Sequence, residues 1–280
     1  MQIHVAKSAG FCAGVKRAIK CAYESAGTFG RIEMLCDIVH NEIVVDRIAE
    51  LGILKVLSLS PGSNKTLLIR AHGAPRSVYT EARSHGYRII DATCPMVTEI
   101  HQTARQIEQD DRRVIIIGDL GHEEVSGIAG QIEGTALVVP SAEALTDDLL
   151  HGITRAGVVV QSTQSQQNVD AILKILRTRI PDLEFHNTIC AATRRRQADI
   201  QTMPLHNVVM LIIGSRKSAN TRRLYELSRQ LNPRTYRILD ANEIDPRWLD
   251  GTQTVGVTAD ASTPDESIKA VIALLTKISS

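Results

Sequence analysis

The chain has 280 residues, enough for a large core and, on length alone, about two domains. Lys and Arg total 32 against 31 Asp and Glu, which argues against nucleic acid or an anionic membrane as the main partner. Aromatic residues make up only 3%, too few for base-stacking platforms; five cysteines, an odd number at wide spacing, argue against a disulfide framework, and with no CxxC the spacing alone identifies no zinc or iron–sulfur site.

The N-terminus lacks the regions of a signal peptide, and the longest apolar runs, such as VVMLII at 208–213, are too short to span a bilayer. The expectation is a soluble, cytoplasmic protein. MQIHVAKSAGFCAGVKRAIK runs from a strand through Gly10-Phe11-Cys12 into a helix. Val15, Ala18, Ile19 and Ala22 recur there at helical spacing, and Gly27 ends the pattern. RIEMLCDIV (31–39) reads as a strand ending at His40-Asn41, then EIVVDRIAELG as a helix with Asn41 as N-cap and Gly52 as its stop.

A strand at 66–69, a turn at His72-Gly73-Ala74-Pro75 and a helix closing near Gly86 follow. YRIIDATCP is a strand that ends at Cys94, and Pro95 suits the first turn of a helix over 96–108. Strand 113–117 leads to His122 and Glu124. ALVVP, AGVVVQSTQ and LEFHNTIC are three further strands, with the helix NVDAILKILRTRI between the last two. VVMLIIGSRKSANTRRLYELSRQLN is again strand, turn and helix, followed by TYRILD and TVGVTADASTPDESIKAVIALL. The capping-box spacing of Thr263 and Glu266 predicts a helix beginning directly after Ser262.

No linker or low-complexity tract interrupts this alternation, which predicts an α/β protein with mainly parallel sheets. Cys12, Cys94 and Cys190 each stand after an apolar extended run and before a helix, at intervals of roughly 90 residues. They mark out three similar units, 13–95, 96–188 and 189–280, the last joined by the N-terminal strand 1–12.

Ligands of parallel sheets gather where strands end and helices begin. The positions so placed are Cys12, His40, His72, Cys94, His122 with Glu124, Thr163-Gln164-Ser165, Cys190, Ser218 with Asn220, and Ser262. Thiolates at helix starts have lowered pKa values and tolerate the charge of an iron–sulfur cluster. A cubane cluster needs four ligands, so three cysteines would leave one iron open. The imidazoles, hydroxyls and amides suit a phosphate or diphosphate, and Glu124 is the carboxylate able to handle a proton. Cys21 and Cys36 read as small buried apolar residues, and TRRRQ at 193–197 as a solvated helix face. From the residues alone the chain is an α/β enzyme with a central anionic-ligand site, of unnamed reaction.

Taken together, FCAGVKRAI, HNEIVVDRI, RAHGAP, DATCPMV, GHEEVSG, NTIC, GSRKSANTRRL and VGVTADASTPDE resemble the 4-hydroxy-3-methylbut-2-enyl diphosphate reductase family over nearly the whole chain. The resemblance implies a trefoil of three α/β units around one [4Fe-4S] cluster held by Cys12, Cys94 and Cys190. It implies that His40, His72 and His122 grip the diphosphate with Ser218, Asn220 and Ser262, that Ser165 contacts the substrate hydroxyl, and that Glu124 relays protons. The implied reaction is reductive dehydroxylation of an allylic diphosphate to isopentenyl and dimethylallyl diphosphate, with ferredoxin or flavodoxin as electron donor.

The chain departs from the family pattern at four places. Glu123 stands where a proline is usual, Gln166 replaces a threonine, Ala219 replaces a serine, and Lys217 adds a charge. Hydrogen bonds to charged groups contribute roughly 1.5–3 kcal/mol each, so two lost hydroxyls predict weaker diphosphate binding. Two alternatives accompany the main reading: a paralogue using the same cluster on another hydroxylated or phosphorylated compound, and a non-catalytic iron–sulfur redox sensor.

Overall fold

A computed structural model describes residues 1–279. In chain order the elements are β1 (Gln2–Val5), α1 (Ala13–Ala26), β2 (Arg31–Met34), α2 (Glu42–Glu50), β3 (Leu54–Lys55), β4 (Lys65–Ile69), α3 (Arg76–Ser84), β5 (Arg88–Asp91) and α4 (Pro95–Gln109). There follow β6 (Arg113–Ile117), α5 (Glu123–Ala129), β7 (Leu137–Val139), α6 (Asp147–Leu150), β8 (Arg155–Val160), α7 (Gln166–Arg179) and β9 (Asp182–Phe185). The last are α8 (Ala191–His206), β10 (Val209–Ile213), α9 (Ala219–Leu231), β11 (Thr235–Ile238), β12 (Thr254–Ala259) and α10 (Asp265–Ser279).

The strands form three parallel sheets of four, ordered β3-β2-β4-β5, β7-β6-β8-β9 and β11-β10-β12-β1. This is the α/β architecture with mainly parallel sheets expected from the alternation. Each sheet has the same plan: the first strand of the set is central, the second flanks it, and the third lies between the first and a fourth edge strand. In the third sheet that edge place is filled by β1, paired from Gln2 opposite Thr254 to Val5 opposite Val257. The chain divides into two compact units, one of residues 1–16, 39–47 and 191–279, the other of Arg17–Ile38 and Ile48–Cys190.

Strands buried on both faces read as unbroken apolar runs, and the central strands do so. In the unit of Arg17–Ile38 and Ile48–Cys190, Ile115, Ile117, Val158 and Val160 face α7 through Val169, Ile172 and Leu176. Their neighbours Val114, Ile116 and Val159 point the opposite way, onto Ile100, Ala104 and Ile107 of α4 and Val125 of α5. In the other unit Leu211, Ile213, Val255 and Val257 meet Val271 and Leu275 of α10, while Met210 and Ile212 meet Ile200 of α8 and Leu224 of α9. Each such side chain contributes roughly 1.5–3 kcal/mol on burial.

Several boundaries differ from expectation: the strands read through Cys94 and Cys190 stop at Asp91 and Phe185. The strand predicted over 31–39 ends at Met34, because β3 pairs only with Glu33 and Met34 and β4 reaches only Glu33. The chain then bends, and the Ile38 carbonyl accepts the Ala71 amide at 3.2 Å. α10 begins at Asp265 rather than directly after Ser262, since the buried Thr263 hydroxyl donates to the Ile213 carbonyl (3.0 Å) instead of capping a helix. Asn41 does cap α2, its Oδ1 accepting from the Val44 amide at 3.3 Å. Among the described residues no helix is long and apolar enough to cross a membrane.

α4 also carries His101, 6% exposed, whose Nε2 has no hydrogen-bond partner among the described residues. A Cβ built on Gly73 would lie 2.7 Å from the His101 ring, and Gly73 has φ +73°, so the turn needs glycine on both counts. Burial, then the charge of Arg105, pushes the imidazole down to about 4, against a smaller opposing pull from Asp91.

Two outcomes test this packing. A Cβ on Gly157 of β8 would fall 2.6–2.9 Å from three side-chain atoms of buried Ile107. Gly157→Ala is expected to lower stability by roughly 1–3 kcal/mol through overpacking, read as a lower denaturation midpoint; an unchanged midpoint would contradict it. The unfolded chain takes up a proton on His101 near pH 6.5 and the folded chain only near 4. The neutral ring's contribution is therefore complete above about pH 6.5 and falls as pH drops toward 4, by about 3 kcal/mol in total. Relative to His101→Leu, the denaturant midpoint of the wild type should fall as pH drops from about 6.5 to 4, and parallel curves would refute the assignment.

Candidate functional site

Every cysteine expected at the site follows the edge strand of its sheet, and each is fixed in the same way. The Cys12 amide donates to the Ala261 carbonyl (3.2 Å), that of Cys94 to Ala71 (2.9 Å) and that of Cys190 to Ser162 (3.0 Å). Each acceptor lies just past the end of the neighbouring strand, so the parallel ladders of β1 with β12, β5 with β4 and β9 with β8 extend beyond the strands to hold a thiol. A helix starts next: Cys94 is the N-cap of α4 with Pro95 at its first position, and the Val15 amide of α1 points at the Cys12 sulfur, 3.4 Å away. All three thiols are half-buried. Soft thiol donors at helix starts, where amide N–H groups and the dipole favour negative charge, fit the anionic iron–sulfur cluster that the sequence pattern implies.

In the unit that holds His72, Cys94, His122, Glu124, Ser165 and Cys190, two groupings stand out. The rings of His72 and His122 meet edge to face, centroids 5.6 Å apart. His122 is the N-cap of α5, and its Nδ1 accepts the Glu124 amide at 3.1 Å, so the neutral ring carries its proton on Nε2. Glu124 is 1% exposed, and its two carboxylate oxygens accept the Ser162 amide (2.5 Å) and hydroxyl (2.8 Å). Ser162 thus joins the buried acid to the backbone of Cys190.

Glu123 does not share the position of Glu124: it turns to Arg70, 3.5 Å away. Ser165 is the N-cap of α7, its hydroxyl accepting the Asn168 amide at 3.5 Å. Gln166 begins that helix, donating to Asp170 (2.8 Å) and accepting from Asn187 (3.4 Å).

The other unit contains Cys12, His40, Ser218, Asn220 and Ser262. Ser218 is the N-cap of α9, and its hydroxyl, the Asn220 amide and the Ser262 hydroxyl all donate to Asp260, which is 1% exposed. The Ser262 hydroxyl also donates to the His40 carbonyl at 3.2 Å, and the buried Asn41 Nδ2 beside it in sequence has no hydrogen-bond partner among the described residues. Lys217 pairs with Glu42 at 3.5 Å and is largely exposed, an arrangement of small energetic value. Burial pushes the Glu42 carboxyl up, but the Ser215 hydroxyl, its own amide and Lys217 outweigh this and hold it below its usual value.

Ser162, Asp260 and three residues of TRRRQ are not marked by local pattern as site residues. Ser162 and Asp260 sit in runs already singled out, QSTQS and ADAS, but nothing local indicates which neighbour holds which. TRRRQ is not a solvated face: Thr193, Arg196 and Gln197 are buried, and Arg196 donates to the carbonyls of Ala192, Gly10 and Ala259. Their spacing of three and four on α8 was the available signal.

The family model described as LytB protein matches residues 3–276. The 4-hydroxy-3-methylbut-2-enyl diphosphate reductase of Aquifex aeolicus is 37% identical over 97% of this chain and 94% of its own length. That of Trichlorobacter lovleyi is 38% identical over 99% of each. A solved structure of (E)-4-hydroxy-3-methyl-but-2-enyl diphosphate reductase, described as the terminal enzyme of the non-mevalonate pathway, matches at 36% identity and a TM-score of 0.73, covering 99% of this chain and 100% of that one. The E-1-hydroxy-2-methyl-but-2-enyl-4-diphosphate reductase of Plasmodium falciparum matches at 26% identity and a TM-score of 0.90, covering 98% and 88%. With three parallel sheets of one plan, a cysteine fixed at the edge of each, and relatives of this identity over nearly its full length, the chain belongs to the LytB family.

Proposed function

We propose that this chain is a cytoplasmic iron–sulfur reductase that converts 4-hydroxy-3-methylbut-2-enyl diphosphate to isopentenyl and dimethylallyl diphosphate. The observation that carries the reading is the threefold repeat in which a cysteine amide is bound to the loop of a neighbouring strand, a loop that also bears or holds a polar site residue: Ser262 beside Ala261, His72 beside Ala71, and Ser162, which holds Glu124. Cys12, Cys94 and Cys190 would hold one [4Fe-4S] cluster. Such a cluster, when bound, delivers electrons and offers a Lewis-acidic iron.

Replacing the substrate C–OH by C–H and releasing water consumes two electrons and two protons. Glu124 is the group suited to the protons, since it is the carboxylic acid withdrawn from solvent there and its oxygens are oriented by Ser162. Protonation at one or the other end of the resulting allylic unit gives the two products. His122, with its proton on Nε2, is a donor to diphosphate oxygen, and His40 and His72 serve the same end. Ser165 orients the substrate hydroxyl. A ferredoxin or flavodoxin supplies the electrons.

Protein purified without oxygen should contain iron and sulfide and, with reduced methyl viologen, form both isoprenoid diphosphates; iron and sulfide without product would sink the substrate assignment. Cys94→Ser should lose the cluster absorbance, and unchanged iron content would refute the ligand set. Glu124→Gln should keep its iron while kcat falls by about 10²–10⁴, the usual worth of a general acid, and full retention of kcat would remove Glu124 from the proton route.

A further inference from the structure

Asp260 follows β12, and its carboxylate accepts four hydrogen bonds. Its Oδ2 accepts the hydroxyls of Ser218 (2.9 Å) and Ser262 (2.5 Å), and its Oδ1 accepts the Asn220 side-chain amide and the Ala261 backbone amide (2.6 Å). The backbone is pinned as well, the Asp260 amide donating to the Ile213 carbonyl at 2.8 Å and its carbonyl accepting the Thr263 amide at 3.2 Å. Gly214 stands against it: a Cβ there would come 2.8 Å from that of Asp260 and into Thr221.

A serine hydroxyl has a single proton and an asparagine amide two. Ser218, Asn220 and Ser262 therefore bring four protons, and three of them point at Asp260. These are the donors that the family pattern assigns to the diphosphate. A second anion arriving here would meet donors already engaged, together with a fixed negative charge that repels it. Lys217, the added cation of this loop, is paired with Glu42.

We propose that Asp260 is a specificity-determining residue: an internal anion that holds the Ser218, Asn220 and Ser262 donors and disfavours diphosphate against a less charged head group. This rests on the reading of those three residues as substrate donors. It concerns the strength and charge selectivity of binding and leaves the removal of the hydroxyl untouched.

Titration calorimetry of the anaerobically prepared holoprotein with inorganic diphosphate and orthophosphate tests it without turnover. Asp260→Asn and Asp260→Ala should each tighten diphosphate by at least about tenfold, and orthophosphate by less, the scale expected when a like charge is removed from a buried ion site. Unchanged or weaker diphosphate binding in variants that keep wild-type iron content and unfolding temperature would overturn the proposal. Tighter diphosphate binding without isoprenoid formation by any of these proteins would leave this proposal standing and sink the reductase reading. Turnover with unchanged binding would do the reverse.

Discussion

The constraint on which the molecule depends is a backbone hydrogen bond used three times, from a cysteine amide to a carbonyl beyond the end of the adjacent strand. A parallel ladder fixes the register of its two strands, so the residue that continues the ladder is fixed as well. The thiol is therefore positioned by the sheet rather than by a flexible loop, and the helix that starts beside it supplies amide donors without a further change of direction. The apolar cores under α3, α7 and α10 support these three ladder ends.

Two of the three sheets also share a device for holding a buried carboxylate. After β6 and β8 the acid is Glu124 and the hydroxyl Ser162; after β10 and β12 the hydroxyl is Ser218 and the acid Asp260. Acid and hydroxyl have exchanged strands, yet in both cases they bridge the loops of the first and third strands of the sheet. A buried carboxylate left without donors is costly, and a satisfied one makes a local network rigid. The same solution yields a group suited to proton transfer in one sheet and a filled anion position in the other.

Much of this was legible in the sequence because it is local. Strand, turn and helix alternate with clear punctuation at Gly52, Gly86 and Pro95, and the three cysteines recur at one kind of joint. What was not legible depends on pairing across the chain. The early end of β2 follows from how far β3 and β4 reach, the late start of α10 from a hydroxyl that finds the Ile213 carbonyl, and the burial of Arg196 from carbonyls of Gly10 and Ala259. Asp260 is the sharpest case. Its neighbours in sequence mark a turn, and only the approach of Ser218 and Asn220, some forty residues away, turns it into the centre of a polar cluster.

The edge strand β1 pairs with β12 across about 250 residues, the longest loop closure in any of the sheets. During synthesis the other two sheets can each be completed by segments that emerge in immediate succession, whereas Gln2–Val5 must wait, unpaired, until β12 has been made. Cys12 receives its backbone anchor only at that last stage, since Ala261 lies beyond β12. Positioning of the three cysteines is thereby tied to the end of translation: a chain that stops short has the backbone anchors of Cys94 and Cys190 and lacks that of Cys12.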